Sequence, residues 1–559
     1  MSVVVRGRLG DRLIEKGLLD PSQLDVALNE QKRHHRPLGE ILISLGFTTE
    51  EDIVRLVAED LGLDFLRADD ITPDPIVLAA LDPGFVRETM AFPYLLERGT
   101  LQVLVVDPDN PQRLSAIRKR FPYPFALAVT TEAELARLIA LHLQASVHRV
   151  EELLAEYKDV GSEGAETFPV EQVVNALLTD GIHRGATDIH VEPEGHVTRI
   201  RYRCDGILQG AENLPSWATA AVTSRIKILS HLDISERRRP QDGRLHFEID
   251  DDRSVDMRVS VMPSQFGENI VLRILDTQGG VLRLDQLGVP PELQRVLATV
   301  SARPHGLFLV TGPTGSGKTT TLYAMLAGMD AMHRKIATIE DPIEYSLPLL
   351  RQSQVDPSIE FDFSAGLRAL LRQDPDVVLI GEIRDRETAD MAIKASMTGH
   401  LVLSTLHTNS AIGAVPRLID IGIEPYLVED ALIGAMAQRL VRRVCSSCAE
   451  DVEASPDELR WLGVERATLR RGTGCPRCDG SGFAGRVAIV EVFLPDATMA
   501  DAMRAGAGAA ELERLACRAG FRAMAENGRQ LVLAGTTTME EVLRVSRSHR
   551  LSEQERAGL

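Results

Sequence analysis

Residues 311–321, Thr-Gly-Pro-Thr-Gly-Ser-Gly-Lys-Thr-Thr-Thr, restrict what this chain can fold into more than any other stretch. They contain G-x-x-x-x-G-K-T, carried by Gly312, Gly317, Lys318 and Thr319, with Pro313, Thr314, Gly315 and Ser316 in the loop and Thr320 at the start of the next element. The apolar run 306–310 before it reads as a buried strand, and a helical pattern continues over 320–332. Strand, glycine loop and helix are the context in which the backbone N–H groups of the loop wrap a β-phosphate. The positive end of the new helix adds to that field. In this pattern Lys318 reaches the β- and γ-phosphates and the Thr319 hydroxyl holds Mg²⁺, so the loop implies a nucleoside triphosphate such as ATP with its metal.

The rest of the chain must say what the nucleotide is used for. A length of 559 residues implies three or four domains at about 150 residues each. No apolar run approaches the ~18 residues of a membrane span, and the short apolar stretch at the N-terminus does not resemble a signal peptide, so a cytoplasmic location is expected. A net charge of −19 argues against broad nucleic-acid binding, which needs a basic surface. Six cysteines, four of them clustered, do not fit a secreted disulfide framework.

Residues 1–65 hold an internal repeat. Leu9, Gly10, Leu13, Ile14, Gly17, Leu24 and Leu28 recur 29 positions later as Leu38, Gly39, Leu42, Ile43, Gly46, Ile53 and Val57. Each copy reads as two short helices around a glycine turn. Residues 66–145 read as a small α/β subdomain with a strand at 101–106, and 146–168 as a helix tail and linker. Residues 169–285 read as an α+β domain: a helix near 169–185, strands near 189–192 and 198–202, a helix at 216–231, and strands near 244–250, 254–261 and 269–275. From about 290 to 559 strands at 307–311, 336–340, 376–381 and 401–405 alternate with helices, and 497–549 reads as helical.

Three further segments gather polar groups at strand ends. Glu340, Asp341 and Glu344 come at or just after the end of the strand 336–340, where carboxylates orient water or hold the waters of Mg²⁺. Glu382 comes after the apolar run 377–380 across Gly381, an atypical form of the carboxylate-terminated strand that supports Mg²⁺. His400 and His407 bracket the strand 401–405, and with Ser404, Thr405 and Asn409 they suggest a γ-phosphate sensor. Downstream, Cys445, Cys448, Cys475 and Cys478 form two C-x₂-C pairs, which in a reducing compartment suit one structural Zn²⁺, within an element at 440–485.

These segments together resemble the Walker A, Asp, Walker B and His boxes of the secretion superfamily ATPases, nearest to the type II secretion and type IV pilus assembly ATPases. The resemblance extends from residue 8 to about 547. It implies a multidomain α/β protein: a RecA-like ATPase domain preceded by an α+β, PAS-like domain and an N-terminal helical module. It also implies a homohexamer on the cytoplasmic side of the inner membrane, working through platform and docking proteins of a secretion or pilus machine, with no nucleic-acid partner. Carried over, Lys318 and Thr319 contact phosphate and Mg²⁺. Glu340 is a candidate base, Glu382 supports Mg²⁺ or the attacking water, and His400 and His407 sense the γ-phosphate. The choice between the two glutamates stays open. The signatures Asp188-Ile-His190 and Pro240-Gln-Asp-Gly-Arg244 resemble the preceding domain of the family, which lends arginines to the site; Arg244 and Arg258 are the candidates here. The N-terminal repeat resembles a module that binds cyclic di-GMP, with Arg8 suited to its phosphates, although Pro37 and Asp60 stand in the second copy where Arg8 and Gln31 stand in the first. The alternative reading is a regulatory nucleotide-binding module gated by cyclic di-GMP.

Overall fold

The computed structural model describes residues 9–546 apart from 35, 72, 79, 82, 143–149, 151–152, 155–167, 212, 251–252 and 276–281. Arg8 and most of the segment 146–168 lie outside the described residues. The backbone divides into two compact units, Met1–Gly279 and Gly280–Leu559. No helix among the described residues is long and apolar enough to cross a membrane.

The first unit begins with four helices, Leu9–Glu15, Pro21–His34, Leu38–Ser44 and Glu50–Leu61. The repeat is physical. Gly17 and Gly46 share φ 69, the left-handed value that ends each first helix at little cost for glycine. A Cβ on Gly10 would meet Leu24, and one on Gly39 would meet Ile53, so each pair closes at the same step of the two copies. Asp60 is taken by the Arg12 guanidinium, which ties the second copy to the first.

A four-stranded sheet comes next, in the order β1 (Asp64–Phe65), β4 (Phe125–Val129), β3 (Thr100–Val105), β2 (Ala91–Glu97). The larger sheet of this unit is antiparallel. It contains β5 (Ala186–Pro193), β6 (Val197–Cys204), β7 (Ile207–Gly210), β8 (Leu214–Pro215), β9 (Gln241–Asp250), β10 (Arg253–Ser264) and β11 (Gly267–Leu275). Its order is β7-β6-β5-β11-β10-β9, with β8 on β6. Strict alternation of buried and half-buried residues along β6 gives it one apolar face, covered by the helix Val170–His183 through Val174 and Leu177. Val150 and Leu154, read from sequence as linker, are buried in this same core.

The second unit is built on a seven-stranded sheet in the order β14-β13-β15-β16-β12-β17-β20. Its strands are β12 (Gly306–Thr311), β13 (Ile336–Glu340), β14 (Arg351–Gln354), β15 (Val377–Ile380), β16 (Leu401–Leu406), β17 (Leu432–Val444) and β20 (Phe483–Phe493). All pairs are parallel except β17 with β20. The central strands β12, β15 and β16 are buried at every position, as a sheet covered on both faces requires. Between β17 and β20 runs the excursion with the cysteines, made of β18 (Ala449–Glu453) paired with β19 (Thr468–Gly472) and the helix Pro456–Leu462. Strands β14, β17 and β20 were not expected from the sequence. The long β17 carries Gln438, Arg439, Arg442 and Arg443, and those polar residues break the apolar run that would mark a buried strand.

Candidate nucleotide site and cysteine cluster

Strand β12 lies between β16 and β17, and the chain leaves its C-terminal end toward β13, three strands away. Ligands bind at such ends of a parallel sheet, where successive connections diverge. The loop 312–317 fills that position, and the helix Lys318–Ala327 starts directly from it. Two glycines are dictated by space as well as by φ. A Cβ on Gly312 would lie 2.5 Å from Ser316 Oγ and 2.6 Å from the Gln438 carbonyl oxygen. One on Gly317 would lie 2.6 Å from Gln438 Nε2. The Ser316 hydroxyl is buried without a partner, a polar group facing the loop that a phosphate oxygen would satisfy. Lys318 Nζ donates to the carbonyls of Gly312 (2.9 Å) and Pro313 (3.0 Å). Burial pulls its ammonium below the ordinary lysine range, opposed by the nearby Glu382 carboxylate. The cradle therefore fits a triphosphate.

Glu382 sits just past β15, half-buried, 3.3 Å from His407 Nε2 and in contact with Arg384. The strand β16 pins this end: Thr405 Oγ1 donates to the Gly381 carbonyl at 2.7 Å and Ser404 Oγ to the Ile380 carbonyl at 2.8 Å. Glu340 ends the neighbouring β13 and is almost wholly buried. Its Oε1 accepts from Thr338 Oγ1 (2.6 Å) and Gln352 Nε2 (3.2 Å), and its Oε2 accepts from the Tyr323 hydroxyl (2.5 Å). Lys318, Glu382, His407 and Glu340 thus share one edge of the sheet.

His400 does not join them. It precedes β16 while His407 comes after it, and six residues of strand span ~20 Å. His400 instead hydrogen-bonds the Ala395 carbonyl through Nδ1 at 2.9 Å, at the end of the helix Arg386–Met397. The expected histidine pair is therefore not formed; a strand that crosses the sheet carries its two ends to opposite edges.

Two residues that carry no motif line the loop from behind. Arg439, on β17, would lie 3.2 Å through Nη1 from a Cβ on Gly312, and its Nη2 donates to the Asn409 carbonyl at 3.2 Å. Gln438 accepts from Thr321 Oγ1 at 2.7 Å. Burial lowers the Arg439 guanidinium from its usual range, and Glu491 works against that. Sequence reasoning missed both; the one signal was a Gln-Arg pair inside an otherwise apolar run.

Arg244 and Arg258 belong to the first unit. They are direct cross-strand partners on β9 and β10, and Arg258 is in turn opposite Arg273 on β11. The row continues to Asp188, which accepts from Arg273 Nε at 2.9 Å, and to Arg203. Like charges in direct register are unfavourable, and the Asp188 carboxylate offsets part of that repulsion through Arg273.

The four cysteine sulfurs lie within 4.8 Å of one another. Sγ–Sγ separations of 3.9 Å (Cys445–Cys475), 3.8 Å (Cys448–Cys478) and 3.7 Å (Cys475–Cys478) are too long for disulfides. They match the ~3.8 Å edge of a tetrahedron with ~2.3 Å metal–sulfur bonds. Backbone N–H groups of Gly474, Cys475 and Gly482 point at the sulfurs of Cys448 and Cys478. Burial would raise the Cys478 thiol, but N–H donors from Cys475 and Gly482 together with the Cys475 and Cys448 thiols bring it below the ordinary range, while burial pushes the Cys445 thiol up. The residues fit one Zn²⁺.

Comparison with known proteins agrees with this geometry. Residues 163–544 match the family described as type II/IV secretion system protein, and residues 61–148 match the MshEN domain. The type II secretion system protein E of Pseudomonas aeruginosa is 47% identical over 69% of this chain and 77% of its own length. The type IV pilus assembly ATPase PilB of Thermus thermophilus is 38% identical over 92% of this chain, which spans 59% of that longer protein. The ATPase DotB of Yersinia pseudotuberculosis, 20% identical over 67% of this chain and 93% of that chain, superposes with a TM-score of 0.51 and shares the fold. A phosphate loop backed by two strand-end glutamates, on the sheet of a chain this similar, places the protein in the type II/IV secretion system family, among its ATPases.

Proposed function

We propose that this chain is a mechanochemical ATPase, a homohexamer that hydrolyses ATP in the cytoplasm to drive type II secretion or type IV pilus assembly through an inner-membrane platform protein. The observation that carries the reading is the meeting of Lys318, Glu382, His407 and Glu340 at one edge of the sheet. Lys318 and Thr319 hold the triphosphate and Mg²⁺, which neutralises charge as it develops on the phosphates. Glu340, surrounded by neutral donors, is the base for water. Glu382, already engaged with the cationic Arg384 and with His407, organises the metal-side waters. Arg244 and Arg258 supply positive charge to a nucleotide site in the assembled ring, and Cys445, Cys448, Cys475 and Cys478 bind Zn²⁺.

Steady-state ATP hydrolysis with mass by light scattering tests this. Lys318→Ala removes two charge-assisted contacts, so ATP binding is expected to weaken by about 100-fold and turnover to vanish. Wild-type turnover by a hexamer supports the motor. Tight binding without turnover in any assembly state would sink it and favour the regulatory module gated by cyclic di-GMP. For the cysteines, metal analysis of the purified protein is expected to find one zinc per chain, lost in Cys475→Ser/Cys478→Ser. Because metal binding and local folding are linked, the segment between β17 and β20 should then lose amide protection; a zinc-free wild type with full protection there refutes the metal site.

A further inference from the structure

The polar cage around Glu340 contains a residue that no motif marks. Tyr323 lies on the helix that begins at Lys318, fully buried among Met325, Leu326 and Ile336. A tyrosine in such a core needs a partner for its hydroxyl, and here the partner is Glu340 Oε2 at 2.5 Å. The ring is held edge-on against Tyr345, with centroids 4.6 Å apart at 84°. Gln352, on β14, donates to Glu340 Oε1, to the Tyr345 carbonyl (3.2 Å) and to the Tyr323 hydroxyl (3.4 Å). The helix from the phosphate loop, the strand with the glutamate and an edge strand therefore meet on one carboxylate.

A carboxylate offers about four lone-pair sites. Thr338 and Gln352 take the two on Oε1, and Tyr323 takes one on Oε2. One site on Oε2 remains. We propose that Tyr323 is the positioning residue for Glu340: its phenol, with Thr338 and Gln352, fixes the carboxylate plane so that the remaining lone pair of Oε2 meets the attacking water. The inference rests on Glu340 being the base. In the step it serves, a water proton passes to Oε2, the hydroxide oxygen bonds the γ-phosphorus, and the bond from that phosphorus to the β–γ bridging oxygen breaks. Tyr323 touches the base and not the nucleotide. Burial, then the Glu340 contact, hold its phenol protonated far above the ordinary tyrosine range, so it stays a donor at working pH. Because Tyr323 sits on the helix that starts at Lys318, it links the orientation of the base to the position of that helix.

Tyr323→Phe removes one hydroxyl and keeps the packing. It is expected to lower kcat for ATP by about tenfold, with KM for ATP unchanged. Gln352→Leu, which removes a donor from a different element, should show the same split. A kcat within twofold of wild type in Tyr323→Phe overturns the inference, as does a loss of kcat that comes with a parallel rise in KM. Glu340→Gln separates the two failures. If it retains wild-type turnover, the assignment of the base is wrong and the inference goes with it. If it is inactive while Tyr323→Phe is normal, only the inference falls.

Discussion

Glu340→Gln is expected to lower kcat by about 10³-fold, the middle of the range for a general base, while ATP affinity stays near wild type. The amide is isosteric, so Thr338 and Tyr323 keep their places, but it has no lone pair basic enough to take a proton. Glu382→Gln is expected to act differently. Glu382 contacts Arg384 and His407, and its field reaches Lys318. That variant should require more Mg²⁺ for half-maximal rate. A titration of rate against Mg²⁺ for both variants checks the assignment; an unchanged Mg²⁺ requirement in Glu382→Gln together with a larger loss of kcat than in Glu340→Gln would exchange the two roles.

The second large effect is expected far from the nucleotide. Glu541 lies buried on the helix Met539–Ser546. Its Oε1 accepts from Arg442 Nη2 at 2.8 Å and its Oε2 from Arg544 Nη2 at 2.8 Å, while the Arg442 backbone N–H also donates to it. Burial alone would raise this carboxyl, but Arg544 and Arg442 overcome it and hold it at about 2. Arg442 also lies over the Phe483 ring at 4.1 Å, and Val444 N–H donates to the Thr536 carbonyl at 2.9 Å. The end of β17, immediately before Cys445, is thus braced by this helix.

Because the folded value lies below the ordinary one, this brace stabilises fully above the unfolded carboxyl range near 4.5 and fades as pH falls toward about 2. The depression corresponds to about 3 kcal/mol. Glu541→Gln leaves Arg442 half-paired in a buried setting, and about 3–5 kcal/mol is expected to be lost. A chain of several domains does not unfold in one step, so the readout is amide exchange by peptide. Residues 539–546 and the C-terminal residues of β17 should exchange ~10²-fold faster or more at neutral pH. Unchanged exchange in both peptides would contradict the brace.

How much of this is legible in the sequence depends on which interactions are local. The phosphate loop was legible because its requirements are met within ten residues: two glycines at close approach, a lysine and a helix start. The repeat was legible because Gly17 and Gly46 solve the same turn twice. Strands β13, β15 and β16 announce themselves as largely apolar runs, since both faces of the sheet are covered. The cysteine pairs, four thiols at metal-ligand spacing, already implied their convergence. By contrast Tyr323 reads as an ordinary position in a helix, and Gln438 and Arg439 lie in a segment that does not read as a strand, because their partners are 17 residues or more away in the chain. The two histidines looked like a pair because they are close in sequence, and β16 holds them apart.

Sequence alone therefore located the phosphate loop, the strand-end acids and the cluster of four cysteines, since motifs of contiguous residues carry their own geometry. Tertiary structure decided which polar groups share a site. It excluded His400 from the nucleotide edge, caged Glu340 with donors from three elements, set Arg439 behind the loop and fastened the helix Met539–Ser546 to the strand before the cysteines. Those decisions depend on strand order and register, which arise from packing across the whole sheet and not from any local stretch of chain.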